Sequence, residues 1–301
     1  MMTRPVCETH DTSPSLSLSS AGLLTCLGEI SVEQFLEGYW QQQPLLVRNA
    51  FPGFITPVTP DELVSMACDT DASRLVLEQG GQEPWEVRHG PLLERDFTEL
   101  PDSHWSLLVN DTEQLKPDLE QIIAPFRFIP DWRIDDLMIS YAVDGGSVGP
   151  HVDAYDVFLL QGAGERRWQI STQPVDDDNF IPDIDLRVLA HFEPEYDWIL
   201  KPGDMLYLPP GVAHYGAAIG ECMTYSIGFR APSQADLLED LLGELLENPV
   251  LQQRFADPGR TLQHDPTKLS TQDLERLTDF VMEVLPDRPA VKAWLTEAYS
   301  S

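Results

Sequence analysis

Positive charge is scarce in this chain. Fifty Asp and Glu stand against 19 Lys and Arg, a formal net charge of −31 over 301 residues. A field of that sign repels phosphate backbones and anionic membranes, so direct nucleic-acid binding and membrane association are not expected, and basic partners are attracted. Cysteine is scarce too. Cys7, Cys26, Cys68 and Cys222 form no disulfide framework and no pair at zinc-ligand spacing, which fits a reducing compartment. Long apolar runs are missing: AGLLTCL is too short to span a bilayer. The stretch before it, MMTRPVCETHDTSPSLSLSS, carries Glu8 and Asp11 where a signal peptide would be basic. These absences lead us to expect a cytoplasmic protein with a Ser-rich, disordered leader over residues 1–28.

What is present is enough apolar content, 42%, to fill a core, in a chain long enough for one large domain and a smaller one. SVEQFLEGYW reads as a helix opened by Ser31, with Glu33 in its first turn. QQQPLLVRNAF gives a short strand. TPDELVSMAC gives a helix capped by Thr59 with Pro60 at its first position. Between 74 and 111, SRLVLEQ, PWEVRHG and HWSLLVN read as strands. From 135 to 230 the segments DDLMISYAV, YDVFLLQ, RRWQIST, DWILK, DMLYLPP and MTYSIGFR follow one another, separated by Gly, Pro or Asp turns. That spacing argues an antiparallel barrel or jelly roll. After FRAP the pattern becomes helical. Helices are expected from Ser233, from Ser270 and from Pro289. Leucines at 237, 238, 241, 242, 245 and 246 give the first a wide apolar stripe. These stripes must close on the barrel or pair with another chain.

The chemistry concentrates in GPHVDAYDVFLLQGAGERRWQI. On a strand, His151, Asp153 and Tyr155 share one face. His214 lies after a Pro-Pro-Gly turn, on a segment that an antiparallel barrel can bring alongside. Two imidazoles and one carboxylate on one wall form the facial set of non-haem Fe(II) oxygenases. Zinc accepts the same ligands, but no general base of a zinc hydrolase is evident. The remaining histidines, His10, His89, His104, His191 and His264, read as surface or loop residues. Gly162 and Gly164 are expected to turn the chain. Beyond them Arg166, Trp168 and Ile170 share one face, and Arg167 the other. An arginine buried in a barrel needs a planar anion, and the distal carboxylate of 2-oxoglutarate would satisfy Arg166. Arg167 is expected to face solvent.

Taken together, PDWRIDDLMISYAV, GGSVGPHVDAYDVFLLQGAGERRWQI, LKPGDMLYLPPGVAHYG and MTYSIGFRAP, in that order, resemble the JmjC-type ribosomal oxygenases of the cupin superfamily. The likeness extends upstream to FLEGYWQQQPLLVRNAF, and is greatest to the bacterial branch, which hydroxylates an arginine side chain at C3 in a large-subunit ribosomal protein. Eukaryotic relatives hydroxylate histidines of other ribosomal proteins. The resemblance implies an α+β, mainly β chain: a double-stranded β-helix (jelly-roll, JmjC) core over 29–231 and an all-α dimerisation region over 232–301. It implies Fe(II) on His151, Asp153 and His214, and 2-oxoglutarate and O2 as cosubstrates. Arg166 would hold 2-oxoglutarate where histidine-hydroxylating relatives have a lysine, with Thr224 nearby. Asp136, Tyr155 and Ser226 would meet the substrate, and Ser140, on the face of Asp136, is a weaker candidate. The implied partners are a basic ribosomal protein and a second copy of the chain. Family members typically carry a winged-helix domain after the helices, and its absence here is an expectation from the ending AYSS. Other readings stay open: a histidine or small-molecule target, a non-catalytic cupin scaffold, or a demethylase, for which no aromatic cage is visible.

Overall fold

A computed structural model of the chain describes residues 7–9, 24–79, 85–265 and 267–299. It divides into two compact units, Met1–Ala231 and Pro232–Ser301.

The first unit opens with β1 (Cys7–Thr9), β2 (Cys26–Leu27), β3 (Ile30–Ser31), α1 (Val32–Gly38), β4 (Leu45–Val47) and α2 (Pro60–Asp69). Both helices start where the cap chemistry says. The Ser31 hydroxyl accepts from Gln34 N at 3.2 Å, and Gln34 Oε1 accepts from Ser31 N at 2.9 Å. Thr59 and Glu62 make the same reciprocal pair at 3.2 and 2.8 Å, with Pro60 at the first turn. The leader expectation needs correction at two places: β1 pairs parallel with β4, and Leu24 donates its N–H to Pro125 O at 2.9 Å. The strand exists because β4 leaves a free edge on that side, which composition alone does not reveal. Residues 25–28 of the expected leader are described as well, with Leu27 of β2 fully buried, while residues 1–6 and 10–23, His10 among them, lie outside the described residues.

Then come β5 (Ser73–Glu78), β6 (Trp85–His89), β7 (Trp105–Val109), α3 (Thr112–Leu115), α4 (Glu120–Ile123), β8 (Ile134–Ala142), β9 (Asp156–Ser171), β10 (Tyr196–Leu200), β11 (Met205–Leu208) and β12 (Ala213–Phe229). Ten strands form one sheet in the order β1-β4-β11-β9-β12-β8-β7-β5-β6, with β10 also on β9, and β2 and β3 pair apart from it. All pairs but β1–β4 are antiparallel. This is the jelly-roll architecture expected from the strand spacing.

YDVFLLQ and RRWQIST are not two strands around a turn. They are the halves of β9, one strand of 16 residues that pairs with β12 from Asp156↔Phe229 to Ser171↔Ala213. The glycines between them make a bulge. Leu160 faces Tyr225 and Gln161 faces Thr224, but Glu165 faces Ile219, so the register slips by one residue across Gly162–Gly164. Gly164 has φ +63, and a Cβ there would lie 2.0 Å from Glu221 O. Only glycine lets the strands approach so closely in that conformation.

The slip reverses the side-chain alternation. Before it, Phe158 and Leu160 point to the main core, while Val157 and Leu159 point to a second cluster. After it, the even-numbered Trp168 and Ile170 belong to that second cluster. The main core is aromatic: Phe35, Phe126, Phe158, Tyr207 and Phe229 are fully buried, with Phe158 4.9 Å from both Phe126 and Tyr207. Burying each such side chain is worth about 1.5–3 kcal/mol. Buried Asp156, at the start of β9, accepts from Tyr207 Oη at 2.6 Å, Gln41 Nε2 at 2.9 Å and Arg133 at 3.2 Å. These bonds pin the entry to β9, directly after the residues that carry the chemistry.

The second unit holds α5 (Gln234–Glu247), α6 (Thr271–Met282) and α7 (Arg288–Ala298), capped by Ser233, Ser270 and Asp287. Leu241 of α5 is buried, but Leu238, Leu242 and Leu246 are 55%, 47% and 64% exposed. No helix among the described residues is long and apolar enough to cross a membrane.

Candidate metal centre

His214 is the second residue of β12. His151 lies ahead of β9 and not within a strand, so the alternation argument for His151, Asp153 and Tyr155 does not apply. Backbone bonds do the work instead. His151 and His214 exchange N–H to O bonds of 2.9 Å in both directions, and Gly211 N donates to Asp153 O at 2.8 Å. The two imidazoles are thereby set side by side, with ring centroids 4.1 Å apart.

Each ring is held by its Nδ1, His151 to Gly149 O and His214 to Val212 O, both at 2.9 Å. A carbonyl only accepts, so Nδ1 carries the proton and Nε2 presents its lone pair. The His151 Nε2 lies 3.9 Å from Asp153 Oδ1, and the His214 Nε2 lies 3.5 Å from Asp153 Oδ2. All three ligand atoms fall within 4.8 Å of one another. Burial, aided by neighbouring His151, pushes His214 down to about 4, which keeps the imidazole in its ligating form. Two imidazoles and one carboxylate on one side would suit a divalent iron, which supplies oxidative chemistry when bound.

The cluster opens on a cavity of about 530 Å³, lined by Asp136, His151, Asp153, Tyr155, Arg166, His214, Thr224 and Ser226 and by the weaker candidate Ser140. Strand β9 sends its two arginines apart. Arg167 is exposed and bonded to Asp197, Nε to Oδ1 at 2.8 Å. Arg166 is 4% exposed and has no carboxylate partner among the described residues. It donates to Ser140 Oγ at 3.3 Å and to Gly216 O at 3.2 Å, and its guanidinium lies 5.2 Å from the Trp168 ring centroid. Its Nε is buried with no partner, as are Trp168 Nε1 and Ser106 Oγ, whose residues also line the cavity. A buried cation without a counter-ion costs several kcal/mol. A wall of unmet donors around it is built for an anion, and the distal carboxylate of 2-oxoglutarate has the planar geometry to fit.

Thr224 is fully buried on β12 and donates to Gln161 Oε1 at 3.1 Å. Gln161 in turn donates to Ala163 O at 2.9 Å, so the same side chain braces both the bulge and the cavity wall. Asp136, Tyr155 and Ser226 lie on the cavity wall beside Val157 and Met138. Burial pushes Asp136 up, opposed by hydrogen bonds from Asn110 and the Asp111 backbone. Burial and the charges of Asp153 and Asp136 raise Tyr155, which stays a neutral phenol. His89, His104, His191 and His264 are exposed, and none belongs to the ligand cluster. Sequence reasoning missed Ser106, Asn110 and Gln161. None sits in a recognisable pattern: Asn110 and Gln161 bond to residues of other strands, and Ser106 is marked only by its place on the cavity wall.

A jelly roll carrying two histidines and a carboxylate beside a buried, anion-seeking arginine defines a cupin-type oxygenase of the JmjC class. The JmjC domain model matches residues 121–237. The chain is 38% identical over 267 residues to the ribosomal protein uL16 3-hydroxylase of Escherichia coli K12, covering 88% of this chain and 70% of that protein. It is 36% identical to a probable ribosomal oxygenase of Haemophilus influenzae, over 92% of this chain and 70% of the other. It superposes with a TM-score of 0.72, at 38% identity, on the E. coli ribosomal oxygenase YcfD in complex with cobalt and 2-oxoglutarate, over 88% of this chain and 69% of that one. This chain belongs to the JmjC ribosomal oxygenase family.

Proposed function

We propose that the chain is an Fe(II)- and 2-oxoglutarate-dependent oxygenase that hydroxylates C3 of an arginine in large-subunit ribosomal protein uL16. The observation that carries the proposal is one cavity holding the His151, Asp153 and His214 cluster, the unpaired Arg166 and the Asp136 carboxylate. The overall change is O2, 2-oxoglutarate and a C–H bond going to succinate, CO2 and a C–OH. Bound iron supplies the oxidising chemistry. The chain's own residues supply placement. His151, Asp153 and His214 hold the metal through Nε2, a carboxylate oxygen and Nε2. Arg166 binds the distal carboxylate, and Thr224 flanks it. Tyr155 offers a ring face to a guanidinium, Asp136 an anionic acceptor and Ser226 a further hydrogen bond. A half-buried carboxylate favours a permanently cationic arginine over a neutral histidine as the target.

The strongly acidic chain draws in a basic ribosomal protein, and the exposed α5 leucines support a homodimer through the C-terminal helices. The setting is the cytoplasm, where ribosomal proteins are made. The test is anaerobic reconstitution with Fe(II) and 2-oxoglutarate, then oxygen and purified large-subunit ribosomal proteins. A gain of one oxygen atom on a uL16 arginine, lost in Asp153→Ala, is expected. No oxidation of any ribosomal protein by the loaded wild-type enzyme would sink the proposal.

A further inference from the structure

Asp136 sits on β8 with its two carboxylate oxygens in different situations. Oδ2 accepts from Asn110 Nδ2 at 2.7 Å and from Asp111 N at 3.4 Å. Oδ1 has no partner among the described residues. It faces Gly228 of β12, where a Cβ would come within 3.0 Å of it, so the glycine keeps the approach to Oδ1 open. Asn110 directly follows β7 and lines the same cavity. Its amide orientation is dictated by its partner: a carboxylate only accepts, so the NH2 must face Asp136. The amide carbonyl Oδ1 is therefore the free end, also without a partner among the described residues and not fully buried.

From this arrangement we infer that Asn110 is a specificity-determining residue: it locks Asp136 through Nδ2 and offers its own Oδ1 as a second acceptor to the cationic side chain of the substrate. The inference rests on the reading that Asp136 receives a guanidinium. A guanidinium has five N–H donors in a rigid fork, and a single carboxylate oxygen meets only part of that demand. An adjacent neutral carbonyl adds an acceptor without adding a second negative charge. A second charge at 2.7 Å from Asp136 would drive one of the two carboxylates to hold a proton. The donated bond also works against the burial of Asp136 and favours its anion.

The experiment uses the full chain, loaded with Fe(II) and 2-oxoglutarate, and an arginine-bearing peptide of uL16. Three substitutions are compared: Asn110→Leu, Asn110→Gln and Asp136→Ala. Asn110→Leu has nearly the same shape and neither hydrogen-bonding group. It is expected to raise the peptide KM about tenfold, the scale of one hydrogen bond to a charged group. Affinity for 2-oxoglutarate, measured by titration of the metal-loaded protein, should be unchanged. Asn110→Gln, which keeps the amide, is expected to recover part of the loss. A peptide with norleucine in place of arginine, which has no side-chain N–H donor, should lose its dependence on residue 110. If Asp136→Ala raises KM and Asn110→Leu does not, the inference is overturned and the proposed function stands. If Asp136→Ala leaves KM unchanged, the guanidinium reading fails and the inference with it. A parallel loss of 2-oxoglutarate affinity in Asn110→Leu would mark a disturbed fold and also overturn it.

Discussion

Arg166 is the residue on which the cavity's electrostatics turn. It is a buried cation with one nitrogen unpartnered, stacked against an indole whose own N–H is also unpartnered. Arg166→Met removes the charge and both donors while keeping much of the volume. Its affinity for 2-oxoglutarate should fall at least about tenfold, with metal affinity retained, because a bidentate charge-assisted pair is lost. Isothermal titration of the metal-loaded protein reads this directly. Asp153→Ala acts on the other side of the cavity. Removal of one of three ligands should lower metal affinity by about a hundredfold or more, measured by Co(II) or Mn(II) titration. At this scale the metal set was legible, because histidine is scarce in this chain and two of its seven, with Asp153, fall among the jelly-roll strands. Ser106, Asn110 and Gln161 were not. Asn110 and Gln161 bond to Asp136 of β8 and Thr224 of β12, and Ser106 is marked only by its place on the cavity wall; such neighbours are invisible in a single chain read from end to end.

The elements were legible where local chemistry decides them. Ser31, Thr59, Ser233 and Ser270 cap helices through bonds to residues three places on, so their signal is contained in a few letters. From the sequence the glycines of β9 suggest a turn, because turns and bulges draw on the same residue. Only the partner strand distinguishes them: here β12 continues past both glycines and keeps β9 in the sheet. Gly164→Ala tests the distinction. A hairpin loop tolerates an alanine with little loss, whereas a bulge with φ +63 and Glu221 O at 2.0 Å from the new Cβ does not. A loss of about 2 kcal/mol or more is expected in urea melts. Because Arg166 follows two residues later, weaker 2-oxoglutarate binding should accompany it. A stability change near zero would show that β9 can bend there without the glycine.

At the scale of the whole molecule, charge and the C-terminal helices dominate. With a net charge of −31, capture of a basic ribosomal-protein peptide should weaken steadily between low and physiological salt, as screening sets in over about 10 Å. Salt-independent affinity would mean that contacts in the cavity alone select the partner. Leu238, Leu242 and Leu246 occupy one exposed stripe on α5. Leu242→Glu should convert a dimer to a monomer in sedimentation velocity, with the fold of the first unit retained by circular dichroism. A wild-type chain that already sediments as a monomer would remove the dimer from the proposal. Finally, the slip at Gly162–Gly164 has a consequence that no energy scale expresses. Which face a β9 side chain occupies depends on whether the count of residues across the bulge is odd or even. Substitutions there can weaken the strand, but only an insertion or deletion can turn it over. Loss of one residue before Arg166 would carry that arginine to solvent and bring Arg167 into its place. The doublet therefore provides a guanidinium for the cavity in either reading frame of the strand.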